Sequence, residues 1–279
     1  MSNTSVTLSQ LQAFSAYLAK EEKSPVTQEK YLRDVRSFSA FLRGRPITKE
    51  NTIAYKNHLI QRGYMVASIN SMLAAVNTFL VFLGLWECRV KSIRTQRKVY
   101  ASAEKELTRA EYLRLLDAAA CRPKLRLILQ TICSTGIRIS ELRFFTVESV
   151  RRGEVYVSCK SKTRTVLVPG VLKKRLLSYA KEQSIRSGII FVTRGGKPMD
   201  RSNIWAQMKS LCVAAGVEAG KVFPHNLRKL FARCFYAIEK DIAKLADVLG
   251  HGSIETTRIY IMTTGREHRR QLEQMHLIL

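Results

Sequence analysis

The chain has 279 residues, 46% of them hydrophobic, so it can bury a sizeable core and is not disordered throughout. Its 47 Lys and Arg against 22 Asp and Glu give a formal net charge of +25, and the surplus extends over both halves of the chain. Such a surplus of positive charge indicates a polyanionic partner. Nucleic acid fits better than a membrane, because the sequence contains no apolar run of about 18 residues, the length that a membrane-spanning helix needs.

Residues 1–95 are predicted to form a helical bundle of four helices with short connections. Apolar residues recur at helical spacing in each segment, as in the stripe Leu8, Leu11, Phe14, Tyr17 and Leu18. Thr48 is predicted to cap the third helix, Ser68 to open the fourth and Gly84 to end it.

The composition changes after this bundle to a polar, basic stretch without an apolar stripe, and we assign residues 96–105 as a basic linker. It is equally consistent with a strap along a phosphate backbone and with a plain solvated connection. The second domain is assigned to residues 106–279. It begins with a capping box, in which Thr108 is the N-cap and Glu111 the third helical residue.

The second domain is predicted to be mostly helical with a small β-sheet, which makes the whole protein mainly α. Strands over Glu154–Cys159 and Thr165–Val168 are predicted to form a hairpin with its turn at Ser161–Arg164. Further helices are predicted at 124–134, 171–183, 201–215, 226–238, 241–249 and 254–261.

Several cationic residues stand at positions suited to binding a phosphate. Arg138 follows Gly136, which is predicted to end a helix, and Glu141 can orient its guanidinium from the next turn. His225 and Arg228 share one face of a helix that starts at Pro224, because they are three residues apart. Taken singly, each pattern is more typical of an ordinary surface or helix end.

A histidine between two glycines and a tyrosine complete the pattern. His251 lies in Leu-Gly-His-Gly-Ser, a tight turn that could approach a backbone phosphate. Tyr260 follows nine residues later between two isoleucines, where a tyrosine alone is usually a core residue.

Taken together, Arg138, His225-x-x-Arg228, His251 and Tyr260 resemble, in order and spacing, the signature of the tyrosine recombinases, the family of the lambda integrase, Xer and Cre enzymes. The resemblance covers essentially the whole chain. It implies an N-terminal core-binding domain and a C-terminal catalytic domain that clamp duplex DNA. It also implies a catalytic lysine in the hairpin, for which Lys160 is favoured over Lys162. Lys229 departs from the family pattern, which often has histidine there.

The resemblance further implies a chemistry that needs no cofactor, metal or ATP. Tyr260 attacks a phosphodiester and forms a 3′-phosphotyrosine, with His225 as proton acceptor and the lysine as proton donor to the leaving oxygen. The two arginines stabilise the transition state, and His251 hydrogen-bonds the phosphate. Four protomers act on two DNA sites through a Holliday junction, and the amphipathic tail from residue 266 docks either into a neighbouring protomer or onto its own domain.

The biological task stays open at this point. Integration or excision of a mobile element is favoured, because Lys229 and the hairpin depart from the Xer pattern, and the chain shows no additional N-terminal arm-binding domain. Xer-type resolution of chromosome or plasmid dimers is the alternative. A type IB topoisomerase, a DNA-binding regulator without catalysis and an RNA-binding protein fit less well.

The remaining sequence features concern redox chemistry and location. The six cysteines are scattered, form no CxxC pair and have no histidine at zinc-ligand spacing, so we expect reduced thiols and no metal site. The N-terminus shows no secretory signal, and we expect a cytoplasmic, nucleoid-associated protein.

Overall fold

A computed structural model describes residues 6–95, 103–159, 162–263 and 265–275, with the backbone alone at 103, 159, 162, 266 and 271. The chain divides into two compact units, Met1–Arg97 and Lys98–Leu279. The described residues are mainly helical with one small antiparallel sheet, which confirms the predicted fold class. In these ranges no helix combines the length and the apolarity that crossing a membrane requires.

The first unit is built on four helices. They are α1 (Leu8–Lys20), α2 (Pro25–Leu42), α3 (Lys49–Gln61) and α4 (Val66–Phe82). Their apolar stripes meet in one core, where Phe14 of α1 and Phe79 of α4 make an edge-on contact with ring centroids 5.0 Å apart. Burial of these stripes supplies most of the stability of such a bundle, because helix propensity alone is marginal in water.

Two predicted helix starts have different outcomes. The side chain of Thr48 accepts a hydrogen bond from the backbone N–H of Asn51, so the predicted cap of α3 is confirmed. Ser68 does not open α4, which has Met65 as its N-cap without a side-chain hydrogen bond. That start faces solvent, so water can satisfy the first N–H groups and no capping side chain is required.

The chain beyond α4 is tied back to this helix by two asparagines. Asn77 bonds both the N–H and the carbonyl of Val90, at 3.0 and 2.9 Å, and Asn70 does the same for Ile93, at 2.8 and 3.0 Å. Of the predicted linker, residues 96–102 lie outside the described residues, and Ala103–Lys105 form one turn of 3-10 helix.

The second unit contains the remaining helices and the sheet. The helices are α5 (Arg109–Ala118), α6 (Pro123–Thr135), α7 (Val147–Arg152), α8 (Gly170–Glu182), α9 (Arg201–Lys209), α10 (Cys212–Ala215), α11 (Pro224–Glu239), α12 (Ile242–Leu249), α13 (Ile254–Ile261) and α14 (Gly265–Glu273). The capping box of Thr108 and Glu111 is present at the start of α5. The predicted single helix at 201–215 is wrong: α9 ends at Lys209 and a separate short helix, α10, follows from Cys212, although Met208, Leu211 and Cys212 keep the helical spacing of one buried face.

The sheet is a hairpin of β1 (Glu154–Cys159) and β2 (Lys162–Leu167). The predicted turn at Ser161–Arg164 is wrong, because β2 already begins at Lys162 and Arg164 pairs with Val157 of β1. Arg164 thus lies within the strand, and its side chain donates two hydrogen bonds to the buried carboxylate of Glu141.

Candidate active site

Arg138 stands where the chain leaves α6. Gly136 ends that helix with a left-handed φ of +64°, and Arg138 is the N-cap of a 3-10 helix, Ile139–Phe144. The Arg138 guanidinium donates to Oε1 of Glu141 at 3.0 Å, and the Arg138 backbone N–H donates to Oε2 at 2.8 Å. The Arg138 side chain is 41% exposed, so its guanidinium remains open to a ligand while Glu141 fixes its position.

Glu141 is the buried anion between two arginines. It is 1% exposed, and Arg164 of β2 donates to its two oxygens at 3.0 and 2.9 Å. Burial raises the pKa of Glu141, but the hydrogen bonds from Arg164 and Arg138 outweigh burial and hold the pKa below its usual range. Glu141 is therefore a carboxylate at neutral pH, and it links the hairpin to Arg138.

Gly250 lies against Arg164 and takes a φ of +65° after the end of α12. A Cβ at this position would lie 2.7 Å from Cδ of Arg164. The absence of a side chain at Gly250 therefore lets the hairpin arginine and the turn that carries His251 approach each other.

Arg228 is the most deeply buried cation of the cluster, with 1% of the residue exposed. From α11 its guanidinium donates to the carbonyl of Gly136, to the carbonyl of Leu249 at 2.6 Å and to Nε2 of His251 at 2.9 Å. Burial, together with the charge of Arg138, lowers the pKa of Arg228 to about 10, so it stays a cation at neutral pH. One side chain thus joins the ends of α6 and α12 and the turn after α12.

His251 is held from both ring nitrogens. A guanidinium can only donate, so Nε2 of His251 accepts from Arg228, and the ring proton lies on Nδ1, which donates to the hydroxyl of Thr257 at 2.8 Å. Burial and the charges of Arg228, Arg138 and Arg164 lower the pKa of His251 to about 4. His251 is therefore neutral at pH 7, with a defined tautomer.

Tyr260 of α13 lies between two histidines and is 7% exposed. Its hydroxyl is 3.4 Å from Nδ1 of His225, and its ring meets the rings of His225 and His251 edge-on, each with centroids 4.9 Å apart. The guanidinium carbon of Arg228 lies 5.9 Å from the centre of the Tyr260 ring. The tyrosine that looked like a core residue in the sequence is in fact surrounded by the other residues of the signature.

His225 is presented by the first turn of α11, which Pro224 starts. Burial lowers the pKa of His225, and the charges of Lys229, Arg228 and Arg138 lower it further. His225 is consequently neutral at pH 7 and can accept a proton.

The structure brings together Arg138, Glu141, His225, Arg228, His251 and Tyr260. Lys229 is not directed to Tyr260; its ammonium donates to Glu106 at 2.9 Å. Lys160 lies outside the described residues, and of Lys162 only the backbone, at the first position of β2, is described.

Three residues of this cluster escaped the sequence analysis as site residues: Glu106, Arg164 and Thr257. Thr257 could have been found, because it lies three residues before Tyr260 on the same helix and is therefore on a neighbouring face. Glu106 and Arg164 reach the cluster through tertiary contacts, for which the sequence contains no local signal. Within the described ranges, no group of three or more His, Cys, Asp or Glu side chains could hold a metal ion.

Comparison with known proteins identifies the family of this chain. The model of the "Phage integrase family" matches residues 105–266, and that of the "Phage integrase, N-terminal SAM-like domain" matches residues 11–85. The chain is 30% identical over 276 residues to tyrosine recombinase XerA of Thermococcus kodakarensis, covering 96% of this chain and 95% of the relative. It is 27% identical to tyrosine recombinase XerD of Halalkalibacterium halodurans, covering 90% of this chain and 91% of that protein.

Two solved structures have the same fold. A lambda integrase tetramer bound to a Holliday junction matches with a TM-score of 0.75 and 22% identity, over 95% of this chain and 80% of that one. A crystal structure of XerA recombinase matches with a TM-score of 0.55 and 26% identity, over 97% of this chain and 99% of that one. From the matched family, the two-domain similarity to XerA and the cluster around Tyr260, we conclude that this chain belongs to the phage integrase family of tyrosine recombinases.

Proposed function

We propose that this protein is a site-specific recombinase that cleaves duplex DNA with Tyr260 and rejoins the strands through a Holliday junction. One observation carries the proposal: the hydroxyl of Tyr260 lies 3.4 Å from a neutral histidine, His225, beside the buried cation Arg228. A tyrosine is a weak nucleophile at its ordinary pKa near 10, so a positioned base and a cationic field are what it needs.

The cleavage step follows from these positions. The Tyr260 oxygen attacks the phosphorus and passes its proton to Nδ1 of His225, while the bond from phosphorus to the 5′-oxygen breaks. Arg138 and Arg228 bind the non-bridging oxygens, whose negative charge grows in the transition state. The resulting 3′-phosphotyrosine keeps the energy of the broken bond, so attack by a 5′-hydroxyl reverses the step without ATP or a metal ion.

Two further groups take part in the proposed step, a lysine that protonates the leaving oxygen and His251, which hydrogen-bonds the phosphate. The leaving 5′-oxygen needs a proton, and a lysine of the hairpin connection, Lys160 or else Lys162, is the proposed donor. His251 accepts from Arg228 through Nε2, so the hydrogen bond that we propose from His251 to the phosphate requires its proton to move from Nδ1 to Nε2. With its proton on Nδ1, His251 orients Arg228.

DNA is the proposed partner, supported by the net charge of +25 and by the similarity to lambda integrase structures bound to a core site and to a Holliday junction. We propose that the first unit, residues 1–95, and the second, 106–279, together clamp the duplex, and that four protomers assemble on two sites. Leu272 and Met275 near the C-terminus are 53% and 55% exposed, which supports docking of this tail into a neighbouring protomer.

A DNA-associated location in the cytoplasm accords with the proposed role in DNA recombination.

For the biological task, we now favour resolution of chromosome or plasmid dimers over integration of a mobile element. XerA of Thermococcus kodakarensis and XerD of Halalkalibacterium halodurans match along 96% and 90% of this chain, and the departure at Lys229 is accommodated by its pairing with Glu106. A type IB topoisomerase would use the same cleavage step on one duplex, and a DNA-binding regulator would not need the tyrosine, the base and both arginines in one cluster.

A suicide-substrate assay tests the proposal. The protein is incubated with nicked duplexes that carry candidate recombination sites, and covalent protein–DNA adducts are separated on a denaturing gel. We expect an adduct with the wild type and none with Tyr260→Phe, which keeps the ring in place. An adduct that still formed with Tyr260→Phe would refute the assignment of Tyr260 as the nucleophile. Adding a second site then distinguishes a recombinase, which forms exchanged products, from a topoisomerase.

A further inference from the structure

Lys229 and Glu106 form a shielded ion pair behind the active site. The ammonium of Lys229 lies 2.9 Å from Oε1 of Glu106, and the two side chains are 19% and 8% exposed. The other carboxylate oxygen of Glu106 is buried without a hydrogen bond, and the guanidinium of Arg233 lies 3.3 Å from it. Glu106 is therefore surrounded by cations of α11.

The same face of α11 binds three consecutive residues, Lys105, Glu106 and Leu107. Asn226 donates to the carbonyl of Lys105 at 2.7 Å, Lys229 binds the side chain of Glu106, and Arg233 donates to the carbonyl of Leu107 at 2.6 Å. Positions 226, 229 and 233 lie on one helix face because they are three and four residues apart. The segment before α5 is thus fastened along the helix that presents His225 and Arg228.

Lys229 places a positive charge one helical turn from His225. An uncompensated cation there would weaken His225 as a proton acceptor, and the carboxylate of Glu106 is the anion that faces this cation. The pKa of His225 responds to both, being lowered by Lys229 and raised by Glu106. Among the residues that the structure describes, the charged and titratable groups that act on His225 are Lys229, Arg228, Arg138, Glu106, His251 and Tyr260.

We propose that Glu106 is a positioning residue, which pairs with Lys229 to fix α11 and to neutralise the cation that this chain carries beside its proton acceptor. The role in cleavage rests on the proposed function, but the effect on His225 does not. Glu106 touches no reacting atom and acts through Lys229.

The test is an NMR titration of His225, one of five histidines, in the free full-length protein, with its resonance assigned by its loss in His225→Gln. Glu106→Gln leaves the Lys229 cation uncompensated, so the titration midpoint of His225 is expected to move to lower pH. Lys229→Met removes the cation nearest His225 in the sequence of α11 and leaves Glu106 with Arg233 as its remaining ion-pair partner, so the midpoint is expected to move to higher pH. The double variant returns it toward the wild-type value and remains informative if an unpaired buried charge prevents one single variant from folding.

A matched control is the pair of Lys221 and Glu111, also 2.9 Å apart, with side chains 16% and 13% exposed. Lys221→Met is expected to leave the His225 midpoint unchanged. Equal midpoints in the wild type and all Glu106 and Lys229 variants, or shifts of the same sign in both single variants, would overturn the proposal. If adducts form, the acid limb of the cleavage rate follows the same opposite shifts. If the wild type forms no adduct, the proposed function fails while the titration still decides the role of Glu106.

Discussion

The hydroxyl of Tyr260 lies 3.4 Å from Nδ1 of His225, and the two rings meet edge-on at an interplanar angle of 82°. The hydroxyl donates when Nδ1 carries no proton, and it is this tautomer of His225 that gives the pair the direction that proton transfer requires. A distance at the long end of hydrogen bonding is compatible with this role, because catalytic contacts tighten when the substrate binds.

Removal of the proton acceptor should slow cleavage without abolishing DNA binding. In His225→Gln we expect the rate of adduct formation at saturating DNA to fall by about 10²- to 10⁴-fold, the usual contribution of a positioned base. Gel-shift titration of the same variant measures its affinity for the site. A variant that cleaved at the wild-type rate would exclude His225 as the acceptor.

The pH dependence of cleavage should reflect the lowered pKa of His225. The base must be neutral, and burial with the neighbouring cations moves its pKa below 6.5, so the second-order rate should stay level from about pH 8 down to about pH 6.5. The rate should fall only at lower pH, as His225 becomes protonated. A fall that began above pH 7 would show that His225 is not shielded in this way.

Arg228 should be essential to stability as well as to cleavage. A lysine cannot reach the carbonyls of Gly136 and Leu249 and His251 together, so Arg228→Lys leaves buried acceptors unpaired. We expect the free energy of unfolding in urea to drop by about 3 kcal/mol, since each unsatisfied buried group costs about 1–3 kcal/mol. The exposed Arg151 of α7 provides the control, because Arg151→Lys should change stability by less than about 0.5 kcal/mol.

Gly136 should not tolerate a side chain. Its φ is +64°, and a Cβ would lie 2.3 Å from Cδ1 of Phe231, so Gly136→Ala combines backbone strain of about 1–2 kcal/mol with overpacking of about 1–3 kcal/mol. Gly153 has a φ of +88° and nothing within 4 Å of its Cβ position, so Gly153→Ala should show the strain alone. Equal losses of thermal stability in the two variants would contradict the contact with Phe231.

Glu141 should make stability depend on acid pH. Its folded-state pKa is depressed, so its contribution is present above its ordinary pKa near 4.5 and is lost as pH falls through the folded-state value. Wild-type stability should therefore drop on acidification below about pH 4.5. Glu141→Gln should be less stable at pH 7 and should lose less on acidification. Parallel pH profiles for the two proteins would contradict this linkage.

The C-terminal segment should act in assembly. Cutting the chain after residue 264 removes α14 with the exposed Leu272, and we expect fewer tetramers on a Holliday junction in sedimentation, with monomer binding to a single site retained. Unchanged assembly would mean that the segment packs on its own domain.

The sequence by itself determined the helical character of both units and the order of the signature residues. Helical periodicity, the capping box at Thr108 and the glycine after α6 are local signals, because they depend on residues within one or two turns. The spacing from Arg138 to Tyr260 was also readable, since a family signature is a linear pattern.

Only the tertiary structure decided how these residues work together. Arg164 reaches Glu141 across 23 positions, Lys229 reaches Glu106 across 123, and Arg228 reaches the carbonyl of Gly136 across 92. Such contacts depend on how helices and the hairpin pack, and no periodicity encodes them. The packing also sets the desolvation and the neighbouring charges that keep His225 and His251 neutral, so their protonation states follow from the fold and not from the local sequence.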